Sequence, residues 1–278
     1  MVDADGIGLS GLVAEPSRGS PRAVVLAIPG SAMTCRYFHG PVDPRGSLLN
    51  VGAAQGFTVW SIDRPGYGAS ADAPEDRLSL FGQAEAVHAA LDAFARDHDV
   101  GAGFFVVAHS YGLKLALVMA AGARGEQLLG VDGVGTGARY AIDPRRATER
   151  VEGDRGPIWG PERCYPEGTF DRGRLPLGRV PTIQKAEAPE WPGVLRSIAA
   201  EIEVPLRFTY GEHERLWPID DTSLAELRGL FSGSPRVETA IQAGSGHNVS
   251  LSNAAAEYHA KALAFAVECI ACRTGGAP

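Results

Sequence analysis

Residues 104–123 read FFVVAHSYGLKLALVMAAGA. The opening run of Phe, Val and Ala has the continuous apolar character of a strand buried on both faces. From Tyr111 onward apolar residues run nearly all round a helical period, with Lys114 as the lone charge, which predicts a central helix buried in a large domain. Ser110 stands at the junction, flanked by Ala108, His109, Tyr111 and Gly112. With alanine for the first glycine, this is the G-x-S-x-G pattern of a sharp strand-to-helix turn that holds a serine hydroxyl outward, the small neighbours relieving crowding. The first N–H groups of the helix then face whatever reacts with that hydroxyl, and the helix N-terminus favours developing negative charge. Serine is also a common helix N-cap, so the pattern becomes chemistry only if the chain supplies a base.

Outward from this stretch the alternation of strand and helix repeats. AVVLAIPG (23–30), FTVWSID (57–63), LLGVDGVG (128–135), PLRFTYG (205–211) and RVETAIQ (236–242) join FFVVAHS (104–110) as six predicted strands. Their runs are continuous rather than alternating, as expected of a mostly parallel sheet with helices on both faces. One helix is predicted from Ser79, with Ala84, Val87, Leu91 and Phe94 on a single stripe. Another lies near the C-terminus, with Leu251, Ala255, Tyr258, Ala262, Phe265 and Cys269.

A chain of 278 residues, 45% hydrophobic and 21% charged, has the make-up of an ordinary globular α/β domain with an insertion. The insertion is expected at 138–200, rich in Arg, Pro and Gly, where no strand of comparable quality occurs. A structureless loop of that length is unfavourable in a compact domain, so short helices lying over the strand ends as a cap or lid are expected. The predicted organisation is thus a core of residues 1–137 and 201–278 with a cap of residues 138–200.

A serine needs a base to become a nucleophile, and seven histidines are present. His247, in AGSGHNVSLSN, follows the last predicted strand and precedes the last helix, which puts it on the same sheet edge as Ser110. His39, His88, His98 and His259 have no such position, and His109 is expected to pack below the turn. The base in turn needs an acid to fix its tautomer and stabilise its charged form. GEHERLWP follows the strand PLRFTYG; its spacing from the strand end favours Glu214, with Glu212 as a competitor in the same loop.

The order Ser110, Glu214, His247, each on a loop after a strand, resembles the α/β-hydrolase superfamily, in particular its serine esterases, lipases and thioesterases with a cap insertion. The resemblance spans nearly the whole chain. IPGSAM is similar to the family's oxyanion loop, DRPGYGAS (63–70) to its D-x-x-G-x-G-x-S turn and AHSYG to its nucleophile elbow. GEHERLWP is similar to its acid loop, and GSGH to its histidine loop. The resemblance implies an α/β-hydrolase fold with the cap inserted after strand six of the family's count. It also implies an oxyanion hole made by the backbone N–H groups of Ser31 and Tyr111. Pro29 departs from the family, in which a histidine commonly precedes the glycine, and Glu214 replaces the more usual aspartate.

The chemistry expected is attack of Ser110 on a carboxylic ester or thioester, with His247 moving the proton, Glu214 holding the imidazolium, and water releasing the acyl group. The same three residues would serve an acyltransferase, a cyclase or a lyase; a non-catalytic small-molecule binding protein is the alternative of another class. Trp159, Tyr165, Phe170, Trp191 and Trp217 either wall a pocket for an apolar acyl group or pack a small core within the cap. The arginines of that segment, Arg139, Arg145, Arg146, Arg150 and Arg155, alternate with carboxylates and read as a solvated face.

No cofactor or metal is implied: no glycine-rich turn has a dinucleotide-binding context and no cluster has ligand spacing. Cys35, Cys164, Cys269 and Cys272 are too scattered for a disulfide framework. The net charge of −7 gives no reason to expect nucleic acid or an anionic membrane as partner, which leaves a small-molecule substrate. The N-terminal stretch lacks the features of a signal peptide, and a cytoplasmic location is expected.

Overall fold

The computed structural model describes residues 1–4, 6–146 and 155–275. The strands are β1 (Val2–Ala4), β2 (Ile7–Leu9), β3 (Gly11–Ala14), β4 (Val24–Ile28), β5 (Thr58–Ile62), β6 (Phe104–His109), β7 (Leu128–Val134), β8 (Leu206–Gly211) and β9 (Val237–Gln242). The helices are α1 (Leu48–Ala54), α2 (Leu80–Asp97), α3 (Tyr111–Ala121), α4 (Thr182–Glu187), α5 (Trp191–Ile198), α6 (Asp221–Leu230) and α7 (Ala255–Arg273).

The six apolar runs form β4 to β9, all parallel, in a sheet of order β3-β5-β4-β6-β7-β8-β9. Every residue of β4, β5, β6 and β7 is buried, which is why these strands read as continuous apolar runs. Strand β3 adds antiparallel to β5 at the edge, and β1 and β2 pair as a separate hairpin. These three elements have only three or four residues each, too few for a periodic pattern to stand out.

The two faces of the sheet carry separate cores. On one, α2 and α3 bring Val87, Leu91, Leu115 and Met119 against Leu26 and Val106; on the other, α7 brings Tyr258, Ala262 and Phe265 against Val25, Phe105 and Val107. Helix starts follow local chemistry. Ser47, Ser79 and Asp220 each accept a backbone N–H of the first turn of α1, α2 and α6.

Strand β4 lies between β5 and β6, so the chain leaves it first to one side and later returns on the other. The crevice at such a reversal of strand order is where open α/β sheets present reactive groups. The exits of β4 and β6, at Pro29 and Ser110, meet there.

Residues 138–200 follow β7 and contain α4, α5 and several short turns. They touch several loops at the strand ends. Gly178 N donates to Ala32 O at 2.8 Å, and Asn248 Nδ2 donates to Ile158 O at 2.8 Å. Arg150 of this segment lies outside the described residues. Of its neighbours, Arg145 pairs with Asp143, Arg155 with Glu162 and Arg139 with Glu226. No helix among the described residues is long and apolar enough to cross a membrane.

Candidate active site

At the end of β6 the backbone turns sharply: Ser110 has φ 52° and ψ −114°, and α3 begins at the next residue. A non-glycine residue in this region is strained by roughly 1–3 kcal/mol. The turn persists because its surroundings over-determine it. Ser110 N donates to Val134 O at 2.7 Å, and Gly112 lets the first turn of α3 press onto β4, where a Cβ would overlap the carbonyl oxygens of Ile28 and Pro29. Ser110 stands at the N-cap position of α3, yet its side chain caps no N–H. Its Oγ lies 2.9 Å from Nε2 of His247 instead.

His247 sits on the loop between β9 and α7 and is 2% exposed. Its Nδ1 is 2.7 Å from Oε2 of Glu214. The other oxygen of that carboxylate accepts Arg215 N at 3.0 Å and Leu216 N at 2.8 Å. A carboxylate only accepts, so the proton between the two side chains belongs to Nδ1, and Nε2 presents its lone pair to the serine hydroxyl. Glu212 points elsewhere, its Oε2 accepting Gly244 N at 2.9 Å. The structure therefore brings Ser110, His247 and Glu214 into one hydrogen-bonded line and leaves Glu212 outside it.

Tyr111 is the first residue of α3, so its N–H has no acceptor within the helix. Ser31 lies just beyond β4, exposed, in a turn closed by Met33 N donating to Gly30 O at 3.2 Å. The next residue, Ala32, has φ 62°, a second strained position beside Ser110. Residues 176–178 brace this turn: Thr34 N donates to Pro176 O at 2.9 Å, and Met33 and Leu177 form a β-bridge.

The aromatic residues of the 138–200 segment, with Trp217 of the loop after β8, fall into two packed groups. Trp159, Tyr165 and Phe170 meet edge to face near the histidine loop, with ring centroids 5.2–5.5 Å apart. Trp191 and Trp217 are buried on the other flank, Trp217 stacked on Tyr140 at 4.2 Å. Between them sits the Lys114 ammonium, 5.4 Å from the Trp191 ring, 5.6 Å from Trp217, 5.3 Å from Tyr140 and 6.0 Å from Tyr111. It donates to Tyr140 Oη at 2.8 Å. Burial brings its pKa down to about 7, against an opposing pull from Glu187.

Several residues that the sequence motifs do not single out support this arrangement. His109, expected below the turn, is fully buried there and stacks on Tyr37 at 4.6 Å. Burial, with lesser contributions from His247 and Arg64, holds its pKa well below the usual imidazole range, so it is neutral. The hydroxyl of Tyr111 donates to Glu187 at 2.7 Å and that of Tyr67 to Gln184 Oε1 at 2.7 Å, tying two core tyrosines to one face of α4. The sequence signals were slight: a single charge in an apolar helix for Lys114, and a tyrosine in each turn motif. Among the described residues no group of His, Cys, Asp and Glu has metal-holding geometry, and Cys269 and Cys272 are both free thiols.

Residues 24–261 match the model of the Alpha/beta hydrolase family, and the chain belongs to that family. Solved structures of the same fold include a monoacylglycerol lipase from Paleococcus ferrophilus, with a TM-score of 0.65 at 15% identity over 94% of this chain and 99% of that one. A thermophilic esterase from Thermogutta terrifontis gives 0.62 at 17% identity, covering 94% of this chain and 93% of that one. A proline iminopeptidase from Mycobacterium smegmatis gives 0.62 at 15% identity, covering 98% of each. No curated protein sequence matches the chain.

Proposed function

We propose that this α/β-hydrolase is a serine hydrolase that cleaves a carboxylic ester or thioester of a small, largely apolar substrate through an acyl-enzyme. The observation that carries the reading is the line from Ser110 Oγ through His247 to Glu214, at 2.9 and 2.7 Å, built on a strained turn. Ser110 Oγ attacks the carbonyl carbon while His247 Nε2 takes its proton. The Ser31 and Tyr111 N–H groups receive the oxyanion, and the imidazolium then protonates the leaving alcohol or thiol. Water activated by the same imidazole releases the acid. Glu214, already accepting two backbone N–H groups, keeps the ring oriented.

In this reading residues 138–200 act as a cap that sets access, with α4 seated on the tyrosines next to the serine. The burial of Trp191 and Trp217 is accounted for by packing around Lys114 and that of Tyr165 by packing against Trp159 and Phe170, which leaves the half-buried Trp159, beside the histidine loop, as the nearer candidate for contact with substrate.

A panel of p-nitrophenyl esters and acyl thioesters of increasing chain length tests the proposal. Turnover that requires Ser110 and falls off beyond short acyl chains is expected. Turnover that survives Ser110→Ala would overturn it.

A further inference from the structure

Arg64 is 0% exposed, and among the described residues its guanidinium makes no ion pair. Burying an unpaired charge is costly, so what surrounds it is informative. Its Nε donates to Pro29 O at 2.9 Å, one terminal nitrogen donates to Gly30 O at 3.0 Å and the other to Gln83 Oε1 at 2.8 Å. Its Cζ lies over the rings of Tyr67, 4.3 Å from the centroid, and Tyr111, 4.8 Å away. The neighbouring Asp63 is occupied elsewhere, accepting Cys35 N and the Ser10 hydroxyl at 2.7 Å each.

The carbonyl of Gly30 and the N–H of Ser31 belong to one peptide group. All described peptides are trans, so that C=O and that N–H point in opposite directions. Gly30 O accepts Met33 N within the turn and Arg64 from inside the protein, and with that oxygen so held the Ser31 N–H faces outward. A charged donor on the oxygen also withdraws electrons through the amide and strengthens that N–H as a donor. Pro29 is anchored by the same fork, and one of the two rings against the guanidinium belongs to Tyr111, the residue of the second proposed donor.

We infer that Arg64 is a positioning residue for the oxyanion hole, fastening the Pro29–Gly30 carbonyls so that the Ser31 N–H faces the oxygen of the tetrahedral intermediate. The inference rests on the serine-hydrolase reading. It assigns the task to a planar cation whose fork presets the directions of its N–H groups toward both carbonyls, which the freely rotating ammonium of a lysine does not.

The test compares wild type with Arg64→Lys, Arg64→Met and Gln83→Met, the last loosening the guanidinium without touching the loop. For each, kcat and KM are measured on one p-nitrophenyl ester, with active sites titrated by an organophosphonate, together with Ki for an aryl trifluoromethyl ketone. The expected result is a loss in kcat per titrated site of about tenfold for Arg64→Lys and about a hundredfold for Arg64→Met, the scale of losing an oxyanion donor. Gln83→Met is expected to lose several-fold, KM to stay within threefold, and Ki to rise in proportion to the loss in kcat/KM. A merely structural role would reduce the titrated fraction and leave turnover per site unchanged.

If wild type titrates and the folded Arg64 variants turn over within twofold of it, the inference is overturned while the hydrolase reading stands. Gln83→Met decides in the same way should neither Arg64 variant fold. A wild type that does not titrate overturns both.

Discussion

The imidazole of His109 lies with its Nε2 3.2 Å from the carbonyl oxygen of His247. The residue before the proposed nucleophile thus supports the backbone of the proposed base, across 138 positions of sequence. Because burial keeps His109 neutral, its one N–H is committed to that carbonyl.

Replacing His109 with Leu removes the donor and leaves His247 O buried without it. The expected cost is about 1–3 kcal/mol in urea unfolding, with labelling of Ser110 by an organophosphonate slowed about tenfold. Retention of wild-type labelling would show that the loop holds its geometry without this bond.

The two glutamates of the acid loop separate cleanly. Glu214→Gln is expected to slow ester turnover by about 10²–10⁴-fold, since an amide disturbs both the tautomer of His247 and the pair of backbone donors. Glu212→Gln, which faces Gly244, is expected to change turnover less than threefold. Matched kcat/KM measurements on the two variants check this.

Strain at Ser110 predicts a conflict between stability and chemistry. With φ at 52°, glycine fits this turn better than any L-residue, so Ser110→Gly should be more stable than Ser110→Ala by about 1 kcal/mol. Equal urea midpoints would place the strain elsewhere.

Lys114 predicts a pH dependence of stability. Its pKa is lowered to about 7 in the folded protein, below the ordinary lysine value of the unfolded chain. Below pH 7 both states hold the proton and the native state bears the full cost of burying it. Above pH 7 only the unfolded chain holds it, so stability rises by up to about 1.4 kcal/mol per pH unit until the ordinary lysine range. Tyr111 and Tyr140, pushed upward mainly by burial, stay neutral throughout, and Glu187 from α4 is the facing carboxylate. Between pH 6 and pH 9 the stability difference between wild type and Lys114→Met should move in favour of wild type by about 3 kcal/mol. A difference independent of pH would mean that the ammonium is solvated.

Much of this arrangement is legible in the sequence. Buried parallel strands have apolar runs with sharp ends, and Ser110, Glu214 and His247 each stand a few residues past such an end, so their convergence on one sheet edge follows from topology. For the acid, spacing from the strand end favours Glu214 over Glu212, and the loop turns the Glu214 carboxylate toward His247 and that of Glu212 toward Gly244. Edge strand β3 escaped because four half-exposed residues leave no pattern. The supports of the site were hidden for another reason. Arg64, Tyr67, Gln184 and Glu187 act through pairings between distant segments, and a fully buried arginine is composed of the same letter as a solvated one. The aromatic residues of 138–200 were equally ambiguous, since a ring that packs and a ring that binds look alike in sequence.

The most direct test of the central claim is the intact mass of the protein after exposure to a fluorophosphonate, for wild type, Ser110→Ala and His247→Ala. The account predicts one adduct per wild-type chain, located on Ser110, and none on either variant at the same exposure. A folded wild type that takes no adduct, or an adduct that persists in Ser110→Ala, would contradict it.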